Sequence, residues 1–160
     1  LKKRREAMKK IELTAFDLAQ RFIGIKEVPG SKDSYQVMAF LTLDNSWPGH
    51  DEIAWCSAFI NYICWELRLP RSKSLAARSW LGIGRAIDLS EAEAGFDVVV
   101  LKRGGEGEPG PEVLDAPGHV GFFAGREGDN ILLLAGNQSN AVNISHFPVA
   151  QILGIRRIYE

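Results

Sequence analysis

The chain has 160 residues, 46% hydrophobic and 24% charged, with a formal net charge of -1. That is enough apolar material for the core of one domain, and it supplies no global basic field that would argue for nucleic acid. No stretch approaches the roughly 20 apolar residues of a membrane-spanning helix, and two cysteines do not make a disulfide scaffold or a zinc site.

Residues 1–13 read as a basic lead-in and the start of the first helix, and 14–160 as a single domain. A basic start resembles the first part of a signal peptide, but Glu12 and Asp17 interrupt the apolar run that should follow, so no signal peptide is read. The lead-in is expected to be solvated, with weak contact to anionic membrane or wall polymer as its sharper reading. Ile11, Ala15, Leu18 and Phe22 then recur at helical spacing, predicting an amphipathic helix over 11–23 that Gly24 ends. A turn-rich loop at Val28–Asp33 precedes a short helix over Gln36–Leu43, and Asn45–Asp51 is a further loop.

The next helix is predicted over Trp55–Leu67. Cys56, Phe59, Ile60, Ile63, Cys64 and Leu67 form one apolar stripe that must face the core, and Pro70 stops the helix. A shorter helical piece is expected at Leu75–Leu81. After Gly95 the pattern changes to strands: Val98–Leu101, His119–Phe123, Ile131–Leu134, Ala141–Ser145 and Ile152–Ile158. Helices first and strands later predict an α+β fold, with N-terminal helices packed on a mostly antiparallel sheet.

Cys56 and Cys64 lie eight residues apart on one helix, about 12 Å, too far for a disulfide. Cys64, mid-helix, reads as packing. Cys56 sits in the first turn, where free N–H groups and the helix dipole favour a thiolate, so a lowered thiol pKa is expected. His119 opens a strand. The midpoint of 119 and 137 falls in the turn at 125–130, so an unbulged hairpin sets Asn137 opposite His119. An Asn oxygen there would fix the imidazole tautomer and leave the other ring nitrogen for the thiol. The result is the nucleophile, base and orienting group of acyl transfer.

Several other signals are weak. The glycine-rich run from Gly104 is acidic and opens no helix, so it is no phosphate cradle. His50, His119 and His146 lack metal-ligand spacing. No Gly-x-Ser-x-Gly elbow is present. Asn137 and Asn143 match glycosylation sequons, as chance alone would produce.

Five stretches carry a resemblance: Gly24–Gly30, Ala54–Phe59 with Trp55-Cys56-Ser57-Ala58-Phe59, Ala77–Leu81, Gly118–Phe122 with His119-Val120-Gly121, and Gly136–Ser139. Together, over about residues 14–157, they resemble the CHAP/NlpC-type cell-wall hydrolases, most of all the small single-domain branch of phages and bacteria. The resemblance implies a papain-like fold and hydrolysis of amide bonds in bacterial peptidoglycan, by an N-acetylmuramoyl-L-alanine amidase or an endopeptidase acting in the periplasm or outside the cell. It implies Cys56, His119 and Asn137 as catalytic residues. Some members carry a Glu two positions before that Asn; here the position is Ala135. Asp51 and Glu52 do not make a calcium site, so neither metal nor cofactor is expected. Trp55 and Trp80 are expected to line a groove, Arg78 to meet a peptide carboxylate, and Glu27 to meet substrate amines; core packing, a surface ion pair and a solvated carboxylate are their bland alternatives. A monomer is expected, with an immunity or inhibitor protein as partner if the chain is a toxin. A papain-fold deamidase or acyltransferase with a protein substrate, and a non-catalytic wall-binding module, are the competing functions.

Overall fold

The computed structural model describes residues 11–28, 34–44, 55–104 and 107–159. The basic lead-in up to Lys10, residues 29–33, the loop 45–54 with His50, Asp51 and Glu52, and residues 105–106 lie outside the described residues.

The predicted first helix is shorter than its apolar spacing suggests. α1 spans Ala15–Gln20, because Thr14 caps it: its hydroxyl accepts the Asp17 N–H, and the Asp17 carboxylate accepts the Thr14 N–H. Ile11 is left 90% exposed, outside the helix. α2 (Tyr35–Leu41) is capped by Ser34. α3 (Cys56–Glu66) is the central helix. Phe22, just after α1, Phe40 of α2 and Phe59 and Tyr62 of α3 form a cluster of mostly edge-on rings that ties the three helices together. The predicted piece at Leu75–Leu81 is a 3-10 helix over Ala77–Gly82.

Six strands follow: β1 (Arg85–Ile87), β2 (Asp97–Leu101), β3 (His119–Glu127), β4 (Asn130–Gln138), β5 (Ala141–Pro148) and β6 (Ile152–Arg157). They form one sheet in the order β1-β6-β2-β3-β4-β5, every adjacent pair antiparallel. β1 was not anticipated; it has three residues, and two of them are exposed, so it carries no apolar pattern to read. Alternation sorts the strands onto two faces. Val98, Val100, Val120, Phe122, Leu134 and Val142 face the helices, whereas Val99, Leu101, Phe123, Ile131, Leu133 and Ile155 form a second cluster on the other face. β2 is therefore buried on both sides, which explains its unbroken apolar run.

Two bulges shape the site. β3 and β4 pair Phe122 with Leu134 and Phe123 with Leu133, then the register shifts between Phe123 and Gly125. β4 and β5 shift between Ala135 and Gln138, where Asn137 takes a left-handed φ of 59°. Asn tolerates that conformation, and a residue in it is a common way to build a bulge. The hairpin then closes through Ser139 and Asn140, both also left-handed.

Gly136 is where the sheet lets α3 come close. A Cβ there would sit 2.5 Å from the Trp55 ring and 3.0 Å from the Phe59 Cβ. Gly136→Ala is therefore expected to destabilise the protein by about 1–3 kcal/mol. A denaturant midpoint unchanged from wild type would show that Trp55 yields freely.

Candidate functional site

The start of α3 is held from several directions. Trp55, the residue before Cys56, is fully buried, and its Nε1 donates to the Glu27 carboxylate at 2.5 Å. Trp80, also fully buried, donates from Nε1 to the Ser57 hydroxyl at 2.9 Å. That hydroxyl donates to the Ser74 carbonyl at 2.6 Å, and buried Asn61 ties the same carbonyl and the Ser57 carbonyl together. These bonds immobilise the first turn of α3 and so fix the Cα of Cys56.

The structure therefore corrects four expectations. Trp55 and Trp80 are core residues whose N–H groups are satisfied inside the protein, so they do not line a groove. Glu27 gives its carboxylate to Trp55. Arg78, with no exposed surface, donates from Nε to the Pro117 carbonyl and from Nη1 to the carbonyls of Pro109, Gly110 and Val113. It anchors the loop that delivers His119 rather than meeting a ligand carboxylate.

Cys56 is 2% exposed and begins α3 without a capping side chain. The N–H of Val120 lies beside its sulfur. That N–H belongs to the peptide joining His119 to Val120, so the thiol meets β3 at the residue that carries the imidazole. Burial pushes the Cys56 thiol above its ordinary value of 9.0, and the N–H groups of Val120, Ser57 and Cys56, with the positive Arg103, offset this only in part. The expected lowering of the thiol pKa is thus overturned: desolvation outweighs the helix start. Burial also holds His119 below its ordinary 6.5, opposed by its bond to Gln138 and reinforced by Arg103. Both shifts favour the neutral thiol and neutral imidazole.

The imidazole's hydrogen-bond partner is Gln138, not Asn137. His119 Nε2 lies 3.0 Å from Gln138 Oε1, and the imidazole stacks at a tilt on Phe147 with centroids 5.3 Å apart. Residue 137 is where simple alternation places a partner for His119, because it shares its parity with Leu133 and Ala135. The bulge inserts one residue, and Gln138 inherits that position. Asn137 instead borders a shallow pocket beside the imidazole.

Gln138 is itself fixed. Its Nε2 donates toward the Leu133 carbonyl and to the carbonyl and Oδ1 of Asn143, at 3.3, 2.8 and 2.9 Å. Asn143 returns a bond from Nδ2 to the Gln138 carbonyl, and Ser145 donates to Asn143 Oδ1. With three oxygens around the amide nitrogen, Oε1 must be the atom facing His119. Nε2 of the ring then carries the proton, and Nδ1 is left unprotonated. Sequence reading missed Gln138 and Asn143; the signal available was the run Gly136-Asn137-Gln138-Ser139, whose turn-forming residues announce irregular pairing.

Cys64 is as expected. It is fully buried, and its thiol is pushed up to about 12 by burial. Iodoacetamide at pH 7 is expected to label Cys64 only after unfolding; labelling of the native protein at that position would show an opening of α3. Among the described residues no group of three His, Cys, Asp or Glu is placed to hold a metal ion, and no helix is long and apolar enough to cross a membrane.

No family model and no curated protein matches this sequence. Solved structures are similar in fold. NlpC1 from Trichomonas vaginalis superposes with a TM-score of 0.53 at 15% identity, over 98% of this chain and 49% of that one. An NlpC/P60 family protein from Bacillus cereus gives 0.54 at 14%, over 92% and 40%. The P60 domain of an antigen from M. avium subspecies paratuberculosis gives 0.52 at 16%, over 91% and 96%. The chain spans about half the length of the Trichomonas proteins it resembles. At these identities the likeness is one of architecture: the chain has a papain-like fold of the NlpC/P60 type.

Proposed function

We propose that this chain is a cysteine hydrolase that cleaves amide bonds in bacterial peptidoglycan, in the periplasm or outside the cell. The observation that carries the reading is a buried thiol beside the peptide that follows a Gln138-held imidazole, on an NlpC/P60-type fold. The Cys56 sulfur sits at the helix start against the His119–Val120 peptide, and His119 has its tautomer set by Gln138. Cys56 and His119 keep the roles assigned from sequence, and Gln138 takes the role given there to Asn137.

In this mechanism His119 Nδ1 takes the thiol proton as sulfur attacks the amide carbonyl. The oxyanion is met by the Cys56 N–H at the open end of α3. The imidazolium gives its proton to the leaving amine as the C–N bond breaks, forming a thioester. Water, deprotonated by the same imidazole, adds to the thioester and returns the thiol and a carboxylic acid.

The test is digestion of purified sacculi with wild type and Cys56→Ala, followed by mass spectrometry of soluble products. Wild type is expected to release fragments whose masses distinguish a lactyl-alanine amidase from an endopeptidase. Intact sacculi, with turnover of glutamine side chains or acyl donors on proteins, would replace the wall-hydrolase reading with a deamidase or acyltransferase. No chemistry on any of these would leave a wall-binding module.

A further inference from the structure

The end of α3 opposite Cys56 opens onto a separate pocket of about 710 Å³, within the usual size of ligand sites. Trp65 borders it, roughly 14 Å along the helix from the turn that holds the thiol. The indole is 48% exposed, and Tyr62 steadies it at a centroid distance of 5.8 Å. Arg68, Arg71, Lys73 and Glu66 give the lining its charge. Two of these are engaged within the protein. Arg71 grips Asp44 through both Nη atoms at 2.6 and 2.7 Å, and the Tyr62 hydroxyl bonds Glu66. Arg68 and Lys73 are exposed, and among the described residues neither side chain makes a hydrogen bond or ion pair.

The backbone beneath these two cations is unusual. α3 ends in a Schellman turn: the Leu69 N–H reaches the Cys64 carbonyl at 2.9 Å, and the Arg68 N–H reaches the Trp65 carbonyl at 3.1 Å. That turn makes Arg68 left-handed, with φ 55°, at the position glycine fills most easily. Lys73 is left-handed too, with φ 55°, and its N–H donates to Oδ1 of buried Asn61 at 2.9 Å. The other non-glycine residues described as left-handed, Asn137, Ser139 and Asn140, are short polar types suited to the β4–β5 hairpin. Arg68 and Lys73 have no short polar side chain to support the turn. Nor does the helix end need their charge, because backbone N–H groups already meet the Ile63, Cys64 and Trp65 carbonyls. Two cations are thus fixed beside an exposed indole at backbone positions that disfavour them.

The combination selects a kind of ligand. An exposed indole offers a flat apolar face with room for a sugar ring. A free guanidinium with an ammonium beside it suits a carboxylate or a phosphate. A neutral sugar leaves the cations unused, and a simple anion leaves the indole unused. We infer that the pocket at the end of α3 binds an acidic saccharide, with a sugar ring on Trp65 and its carboxylate or phosphate at Arg68 and Lys73. The site goes beyond the hydrolase reading and does not depend on it: it holds a polymer rather than cutting it.

The test is calorimetry on Cys56→Ala, so that no cleavage intervenes. The probes are peptide-free glycan strands with a lactyl carboxylate on every second sugar, a sugar–phosphate polymer, neutral N-acetylglucosamine oligomers, and polyglutamate as an acid without sugar. One of the acidic saccharides is expected to bind about tenfold or more tightly than the neutral oligomer and than polyglutamate, and comparing the two identifies the acid group. Adding Trp65→Ala is expected to weaken that binding about tenfold. Adding Arg68→Gly and Lys73→Gly is expected to bring it down to the level of the neutral oligomer, with a thermal midpoint at or above that of the parent, because glycine suits both backbone positions. Acidic-saccharide binding by a chain whose wild type hydrolyses nothing would leave this site standing without the hydrolase. Equal binding of acidic and neutral saccharides, or of polyglutamate, overturns the inference. A double glycine variant that binds as before, or that loses stability instead of affinity, overturns it as well.

Discussion

Replacing Cys56 with alanine is expected to lower amide hydrolysis by on the order of 10⁴-fold, and replacing His119 in that same protein is expected to cost nothing more. Groups that act as one unit are not additive: once the nucleophile is gone, the base has no proton to take. His119→Ala alone should lose about 10³-fold, within the usual range for removing a general acid–base. Two large, additive losses would mean that thiol and imidazole act separately, and wild-type turnover by Cys56→Ala would remove the mechanism altogether. The same pair predicts the pH profile. The productive form holds one proton between sulfur and imidazole. It is lost to acid when His119 gains a proton, below the ordinary 6.5, and to base when the thiol ionises, above the ordinary 9.0. kcat/KM should therefore show a wide plateau with both limbs displaced outward. A thiolate–imidazolium pair at rest would instead place the thiol step on the acid side, and fast alkylation of Cys56 at pH 6 would reveal it.

How much of this could be read from the residues depends on whether the signal was periodic or chemical. α3 was legible because six apolar positions share one stripe, and β2, β3 and β4 because each holds a run of buried apolar residues, whereas β5 and β6 each bury one residue and show mainly in their β-branched and apolar composition. The pairing of β3 with β4 near the site follows the midpoint argument, with Phe122 opposite Leu134. What stayed hidden is what periodicity does not encode. A bulge changes which neighbour faces a ring by one residue, and the left-handed Asn137 that builds it leaves no mark in the apolar pattern. Burial of Trp55, Trp80 and Arg78 was equally unreadable, since these side chains are amphipathic and serve a groove or a core equally well. The thiol pKa went the wrong way for a related reason. The helix start is visible in sequence, but the walls that remove water from Cys56 are contributed by elements far apart in the chain.

The bulge makes the sharpest remaining prediction, because it moves a role from Asn137 to Gln138. Gln138→Leu keeps the size of the side chain but removes the acceptor for the His119 Nε2 proton, so the ring can populate the tautomer with Nδ1 protonated, which cannot take a proton from the thiol. A fall of about 10²-fold in kcat with little change in KM is expected, together with about 1–3 kcal/mol of lost stability from the unpaired oxygens of Asn143 and Leu133. Asn137→Gly keeps the left-handed backbone and removes the side chain, and should cost no more than about threefold. Gln138→Glu separates orientation from mere packing. A carboxylate at 138 would stabilise the imidazolium, raise the His119 pKa, and carry the acid limb of kcat/KM to higher pH. An acid limb that stays where the wild type has it, or a loss in Asn137→Gly as deep as that in Gln138→Leu, would return the orienting role to Asn137 and imply that the hairpin rearranges when substrate binds.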